Sequence, residues 1–389
     1  MSRWLPLGLF YCLVYLGTGV SVPFMPAWFG SHGLTGAQIG LILSAPMLAR
    51  TISGPLIALW ADGFKLRRTP IMFLAMGATF AYASLSLVNG FWFWFLAWFI
   101  ASSLFSTLPP LTDVLALRRA RLDGFGFGWP RGLGSVAFII SNLVMGYLLT
   151  RLSKDLVLIW TIAAALATGL AALVLLPGDR VSEEGSRLQS RDRWHGLGDL
   201  LQRPLFLWSI TASGLIQAAH AFYYGFSTLV WQAQGLPAAT IGMLWGFGVA
   251  AEVAFMWFAE GWRRRLGPEI MLVLGSLGAI VRWIAMAFSP PVPILFGLQV
   301  LHAFSFAATF MAVLPLIERY SPPRAASAAQ VLNSALSGGL LIGLAMIVSG
   351  PLYDGFGARG YLAMALIAGL GFVAAVQVLR QGRLAPQGL

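Results

Sequence analysis

Apolar residues run through this chain in long stretches broken by short polar turns. One membrane-crossing helix needs about 20 apolar residues at 1.5 Å rise each. The pattern predicts spans at about 5–28, 36–60, 69–90, 92–117, 129–151, 155–177, 205–232, 238–260, 269–288, 293–316, 327–350 and 359–379. Twelve such helices and their turns account for nearly all of the chain and leave no room for a separate soluble domain. The first run lacks a small-residue cleavage site, so it is expected to stay as a helix rather than be removed as a signal peptide.

The polar stretch 178–203, GDRVSEEGSRLQSRDRWHGLGDLLQR, is long enough to be a linker. It predicts two six-helix bundles, 1–177 and 204–389, that enter the membrane in the same direction. The halves also resemble each other. Gly33-Leu34-Thr35-Gly36-Ala37-Gln38-Ile39-Gly40 matches Gly235-Leu236-Pro237-Ala238-Ala239-Thr240-Ile241-Gly242, at the turn between the first and second helix of each half. Trp60-Ala61-Asp62-Gly63-Phe64-Lys65-Leu66-Arg67-Arg68 is echoed by Phe258-Ala259-Glu260-Gly261-Trp262-Arg263-Arg264-Arg265. Parallel repeats about an axis along the membrane normal are a transporter architecture. The expected fold is an all-α membrane protein whose two bundles are related by a pseudo-two-fold axis.

Composition agrees. The chain is 58% hydrophobic and 10% charged, with mean hydropathy +0.78. A soluble chain averages about 25% charged residues. The net charge of +11 invites a nucleic-acid reading, but the placement of the basic residues excludes it. With the N-terminus in the cytoplasm, 19 of the 25 Lys and Arg fall in cytoplasmic segments. Arg151, Lys154 and Arg359 face outward, and Arg50, Arg131 and Arg282 lie within spans. This is the positive-inside pattern, and it predicts a multi-pass protein of the bacterial inner membrane with both termini cytoplasmic. Cys12 is the sole cysteine, so no internal disulfide can form, and neither a metal site nor a cofactor is expected.

Ionisable groups in hydrocarbon cost about 2.5–3.5 kcal/mol each even on lenient scales, which makes them functional candidates. They are Arg50, Asp113, Arg131, His220, Glu252, Arg282 and His302. Asp113 and Arg131 sit on either side of a cytoplasmic hairpin and are expected to meet, either as a pair that opens for substrate or proton or as a bridge that only pins two helices. Glu252, Arg282 and His302 lie on three consecutive helices. A buried carboxylate beside an arginine and a histidine can bind and release a proton, and a static Glu–Arg bridge is the other reading. Gln217, His220, Tyr224, Ser227 and Trp231 fall at helical steps on one face, flanked by Tyr223, and Trp245 shares a face with Glu252. A stripe carrying Gln and His is expected to line a cavity, whereas Phe91-Trp92-Phe93-Trp94-Phe95 reads as an interface anchor. Pro109-Pro110 should kink the fourth helix just before Asp113.

The segment Asp62 to Arg68 resembles the loop between helices 2 and 3 of the major facilitator superfamily, with Ala58 where the superfamily usually has its first glycine. That resemblance implies a cytoplasmic gate held by Asp62, Arg67 and Arg68. Pro110-Leu111-Thr112-Asp113, Arg131-Gly132-Leu133-Gly134-Ser135, Gln217-Ala218-Ala219-His220-Ala221-Phe222-Tyr223-Tyr224, Ala250-Ala251-Glu252-Val253, Val281-Arg282-Trp283 and Gln299-Val300-Leu301-His302 resemble the phenylpropionate permease group. That group is similar to the lactose permease-type proton symporters. There, an acid on helix 4 and an arginine on helix 5 bind substrate, while a glutamate on helix 8, an arginine on helix 9 and a histidine on helix 10 handle substrate and proton.

The resemblance implies proton-coupled uptake of an aromatic monocarboxylate such as 3-phenylpropionate. Arg50 or Arg131 would take the carboxylate, Trp231, Tyr224 and Trp245 would lie near the ring, and Asp113, Gln217 and His220 would complete the substrate set. Glu252, Arg282, His302 and Asp113 would couple the proton. Ser305 stands where the sugar permease has a second glutamate, which leaves Glu252 or Asp113 as proton carrier. A sugar or nucleoside symporter is the alternative. The three intramembrane arginines argue against an efflux pump, and the short basic loops against an enzyme. A monomer in the lipid bilayer is expected, because each chain carries both halves of the site.

Overall fold

The computed structural model describes residues 3–179, 197–322 and 325–384. Most of the predicted linker, 180–196, lies outside the described residues. Among them, 11 helical runs are long and apolar enough to cross a bilayer. Ten are α1 (Leu5–Ser31), α2 (Gly36–Asp62), α3 (Arg68–Leu87), α4 (Phe91–Asp123), α5 (Gly128–Leu148), α6 (Asp155–Leu175), α7 (Pro204–Ala233), α8 (Ala238–Phe258), α9 (Pro268–Ala287) and α10 (Val292–Tyr320). The last, Ala328–Gly382, has 55 residues. At 1.5 Å per residue it would be about 80 Å long, far more than the roughly 30 Å of hydrocarbon. A 3-10 turn at Gly357–Gly360, opened by Gly357 at φ 55°, divides it. The parts are α11, made of Ala326–Ala335, Leu336–Leu341 and Ile342–Phe356, and α12 (Tyr361–Leu384). The described residues therefore hold twelve helices long enough to cross a bilayer, the number that the hydrophobic pattern predicts.

The repeat extends to backbone detail. Gly33 and Gly235 both have positive φ, 85° and 80°, a conformation that glycine adopts without a Cβ clash. In each turn the next leucine amide reaches back five residues, Leu34 to the Phe29 carbonyl and Leu236 to the Trp231 carbonyl. That six-to-one bond is a Schellman ending and satisfies a carbonyl that the helix leaves free. Thr35 then starts α2 with a capping box to Gln38, where Pro237 stands before α8. Packing repeats as well. In the first half α1 packs on α5 and α6, and α3 on α6; in the second, α7 packs on α11 and α12, and α9 on α12.

Two compact units result. One is Met1–Glu183 with Ser227–Gly246, the other Glu184–Phe226 with Phe247–Leu389. Each inverts the soluble pattern. Leu87, Val174 and Phe258 are more than four-fifths exposed, while Ser141, Asn142, Ser276 and Arg282 are fully buried. Lipid is as apolar as a leucine side chain, so helices associate through close packing and interhelical hydrogen bonds. In the aromatic run, Trp92 and Phe93 are exposed, but Trp94 is buried and donates to the Val88 carbonyl at 2.8 Å. Trp94 is a packing residue rather than an anchor.

The close approach of α1 to α5 depends on Gly19. A Cβ there would sit 2.8 Å from the Phe138 carbonyl oxygen, which a helix backbone cannot move away. Gly19→Val should destabilise the first unit by about 1–3 kcal/mol. The measurement is the thermal midpoint of the purified protein in detergent, with Gly54→Val, in open space, as control.

Candidate functional site

The intramembrane charges sort into two clusters, one in each unit. In the first unit, α4 breaks between Phe91–Phe105 and Leu108–Asp123, at the kink that Pro109-Pro110 predicts. The second segment carries Asp113. Its carboxylate accepts a hydrogen bond from the Tyr11 hydroxyl of α1 at 2.5 Å. Arg131 of α5 comes only to 3.9 Å of the same oxygen, beyond hydrogen-bond range. Its guanidinium lies over the Tyr15 ring at 4.5 Å and over Tyr11 at 5.9 Å. Gly134 makes room for this arrangement, since a Cβ there would meet the Tyr15 ring at 2.6 Å. Asp113 and Arg131 thus meet as expected, but Tyr11 holds the acid. Both side chains remain about one-third exposed, and Arg131 donates no side-chain hydrogen bond among the described residues. Arg50 is exposed on α2.

The second cluster lies in the second unit and centres on Arg282 of α9, which is fully buried. Its Nη1 donates to His302 Nδ1 of α10 at 2.9 Å, and its Nη2 donates to Gln299 Oε1. The guanidinium is stacked between Tyr223, 4.4 Å away, and Trp283, 4.5 Å away. Gln299 Nε2 donates in turn to the Tyr223 hydroxyl at 3.2 Å. His302 Nε2 faces Glu252 Oε2 of α8 at 3.7 Å. Glu252, Arg282 and His302 are therefore brought together as expected, with a difference. Arg282 reaches the acid through His302, so a direct Glu–Arg bridge is not the arrangement, because the histidine stands between the two.

His220 sits where α7 breaks, between Pro204–Ala218 and Ala221–Ala233. Its Nδ1 contacts the Ile216 carbonyl at 2.9 Å and its Nε2 the Ser305 hydroxyl at 3.0 Å. Ser305 lies in a π-helical segment, Ala303–Ala308, directly after His302. Such a segment inserts a residue into the helix and re-aims the side chains around it. The α7 stripe is not a single exposed face. His220, Ser227 and Trp231 are buried, Gln217 and Tyr224 half-buried, and the neighbours Phe222, Tyr223 and Phe226 are buried too. The helix is buried on most sides, so burial is not confined to the face that the stripe marks. Trp231 and Trp245 are buried in the stretch that belongs to the first unit.

At the cytoplasmic end predicted by charge, Arg67 and Arg68 bind the end of α6. The Arg67 amide donates to the Asp179 carbonyl at 3.0 Å, and Arg68 Nη1 donates to the Leu173 carbonyl at 2.9 Å. Arg119 pairs with the Asp179 carboxylate, and Arg118 lies 3.9 Å from it. Asp62 ends α2 as expected but forms no ion pair among the described residues. The acid at the centre of this basic cluster is Asp179.

The sequence profile of the MFS_1 like family matches residues 4–363, the whole run from α1 to the start of α12. The chain belongs to the MFS_1 like family. It is a major facilitator transporter, not an enzyme. It is 32% identical over 380 residues to a probable 3-phenylpropionic acid transporter of Escherichia coli strain K12, covering 94% of this chain and 95% of that one. It is also 27% identical over 350 residues to a maltose permease of Geobacillus stearothermophilus, covering 89% and 86%. Among solved structures, a mutant of the nucleoside transporter NupG superposes with a TM-score of 0.80 at 18% identity, covering 97% and 99%. That last likeness concerns the fold alone.

The residues that sequence reasoning missed are Tyr11, Tyr15 and Asp179, together with the role of Gln299. Tyr11 and Tyr15 have a signal in hindsight, because four-residue spacing puts both on one face of the first helix. Gln299 and His302 likewise share a face at three-residue spacing. Asp179 has none, since one acid at a helix end looks like any solvated charge.

Loss of the Tyr11 hydroxyl removes a hydrogen bond to a carboxylate, worth about 1.5–3 kcal/mol. Tyr11→Phe should therefore lower the thermal midpoint, and Asp113→Asn should cost less in that background than in the wild type. Equal costs in both backgrounds would show that the two side chains act independently.

Proposed function

We propose that this protein is a proton-coupled symporter that imports a small aromatic monocarboxylate such as 3-phenylpropionate by alternating access. The observation that carries this reading is the contrast between the two arginines. Arg282 is enclosed, and both its Nη groups are committed to protein acceptors. Arg131 is stacked on an aromatic ring, partly exposed, and 3.9 Å from its neighbouring acid, whose nearer oxygen accepts from a tyrosine. Arginine binds a carboxylate through two parallel N–H bonds, and Arg131 has those donors to give.

In this reading Arg131 takes the substrate carboxylate, with Arg50 as the second cation of the same unit. Tyr15 and Tyr11 present ring faces beside Arg131, suited to a phenyl group, and Trp231 and Trp245 are further aromatic residues of that unit. Glu252 takes the proton, with His302 and Arg282 around it, and Asp113 senses whether Arg131 is occupied. Arg67 and Arg68, with Asp62 at the helix end, form the cytoplasmic gate. The chain works as a monomer in the bacterial inner membrane with both termini cytoplasmic. Likeness to the probable 3-phenylpropionic acid transporter supports the substrate class.

The test is uptake of labelled 3-phenylpropionate into proteoliposomes with and without an inward proton gradient. Wild type should accumulate it against its gradient. Arg131→Gln should lower uptake about tenfold to a hundredfold through loss of a charge-assisted pair, while Glu252→Gln should abolish accumulation yet leave exchange. No uptake by folded wild type would overturn the substrate class, and a panel of sugars and nucleosides would then identify the alternative.

A further inference from the structure

The donor and acceptor chemistry around His302 sets the charge of that ring. A guanidinium has N–H donors and no acceptor. The 2.9 Å contact between Arg282 Nη1 and His302 Nδ1 is therefore a hydrogen bond only if Nδ1 carries no proton. A neutral imidazole has one ring proton, which must then sit on Nε2, the nitrogen facing Glu252. A second proton on His302 would go to Nδ1 and set two N–H donors and two positive charges against each other.

Arg282 has nowhere to retreat. Gln299 accepts from its Nη2, Gln299 is itself tied to Tyr223, and the rings of Tyr223 and Trp283 cover the guanidinium. Trp283 is backed by Tyr361 of α12, stacked at 5.6 Å. The other groups around the His302 ring are His220 at 5.5 Å, Tyr223 at 5.8 Å and Phe306 at 5.4 Å between ring centroids. Apart from Arg282, the charged side chain facing His302 from these helices is Glu252 of α8.

His220 shows the opposite arrangement. The Ile216 carbonyl can only accept, so His220 Nδ1 carries the proton. In the neutral ring, Nε2 accepts from the Ser305 hydroxyl. A hydroxyl can turn to donate or accept, and a guanidinium cannot. The two neighbouring histidines therefore hold their protons on opposite nitrogens.

We infer that Arg282 is a positioning residue that fixes His302 as a neutral ring with its proton on Nε2, the nitrogen turned toward Glu252 at 3.7 Å, and leaves Glu252 as the side chain of this cluster that takes up and releases the transported proton. The last clause rests on the symport reading; the tautomer does not. Uptake adds one proton to the Glu252 carboxylate and forms one O–H bond. Release breaks that bond, and the Arg282–His302 hydrogen bond persists through both steps.

The test is NMR of the full chain in lipid nanodiscs with ¹⁵N-labelled histidine, whose 4 residues are assigned by single substitution. From about pH 5 to about pH 8, where an ordinary imidazole changes charge, His302 should keep a bare Nδ1 and a protonated Nε2. His220 should show the reverse. An imidazolium at His302 in that range, or a proton on its Nδ1, overturns the inference. Transport gives a second arm. His302→Gln keeps an amide donor and cannot titrate, so uptake should stay within about tenfold of wild type and remain driven by the proton gradient. Loss of gradient dependence in folded His302→Gln, or its survival in Glu252→Gln, overturns the assignment of the proton to Glu252. Where a variant does not fold, the wild-type spectrum decides. Failure of wild type to transport any solute removes the symport reading and the proton's assignment to Glu252, and the spectrum still decides the role of Arg282.

Discussion

Hydrocarbon offers no hydrogen-bond partner, and this governs the molecule. Every ionised group placed among the spans must find its partners within the protein or at a wetted surface. Asp113 takes the Tyr11 hydroxyl, and Arg282 takes His302 and Gln299. In both units an arginine is laid over a tyrosine ring, Arg131 on Tyr15 and Arg282 on Tyr223. A ring covers the face of a guanidinium and leaves its edge for hydrogen bonds. The two clusters then differ in what meets that edge. Protein acceptors meet it at Arg282, while at Arg131 none comes within hydrogen-bond range among the described residues.

The helices that carry these groups are the interrupted ones. α4 breaks ahead of Asp113, α7 breaks at His220, and α10 passes through a π-helical segment directly after His302. An interruption frees backbone carbonyls from the helical ladder, and in a membrane those carbonyls need new donors. The His220 imidazole supplies one to Ile216 at its break. Chemistry and backbone irregularity thus support each other. The polar side chain satisfies the break, and the break aims the side chain inward. α11 contains a second π-helical segment, Leu336–Leu341, within its glycine-rich stretch.

The cytoplasmic charges serve packing as well as orientation. The Arg68 guanidinium binds the last turn of α6, where carbonyls without helical partners attract cations, and the Arg67 backbone amide binds the Asp179 carbonyl beyond it. Glu269 is bound by Arg319 at 3.0 Å and by Tyr320 at 3.2 Å in the second unit. Each half thus closes one end of its own bundle with an acid on one segment and an arginine on another.

Much of this was legible in the sequence because membrane physics acts on composition. The length of each apolar run, the side on which Lys and Arg gather, and the cost of a buried charge are local properties, so they gave twelve passes, the repeat and the seven intramembrane ionisable residues without reference to packing. Repeated glycines at 33 and 235 declared their turns because a positive φ is a local demand. Partner choice was not local. Tyr11 lies 102 residues from Asp113, and Gln299 lies 17 from Arg282, separations that no periodicity connects. The sequence by itself determined which charges had to be neutralised or hydrogen-bonded inside the membrane. Only the tertiary structure decided that a tyrosine takes the acid of α4 and a histidine stands between Glu252 and Arg282, because a hydrogen bond depends on a few tenths of an ångström in the spacing of packed helices.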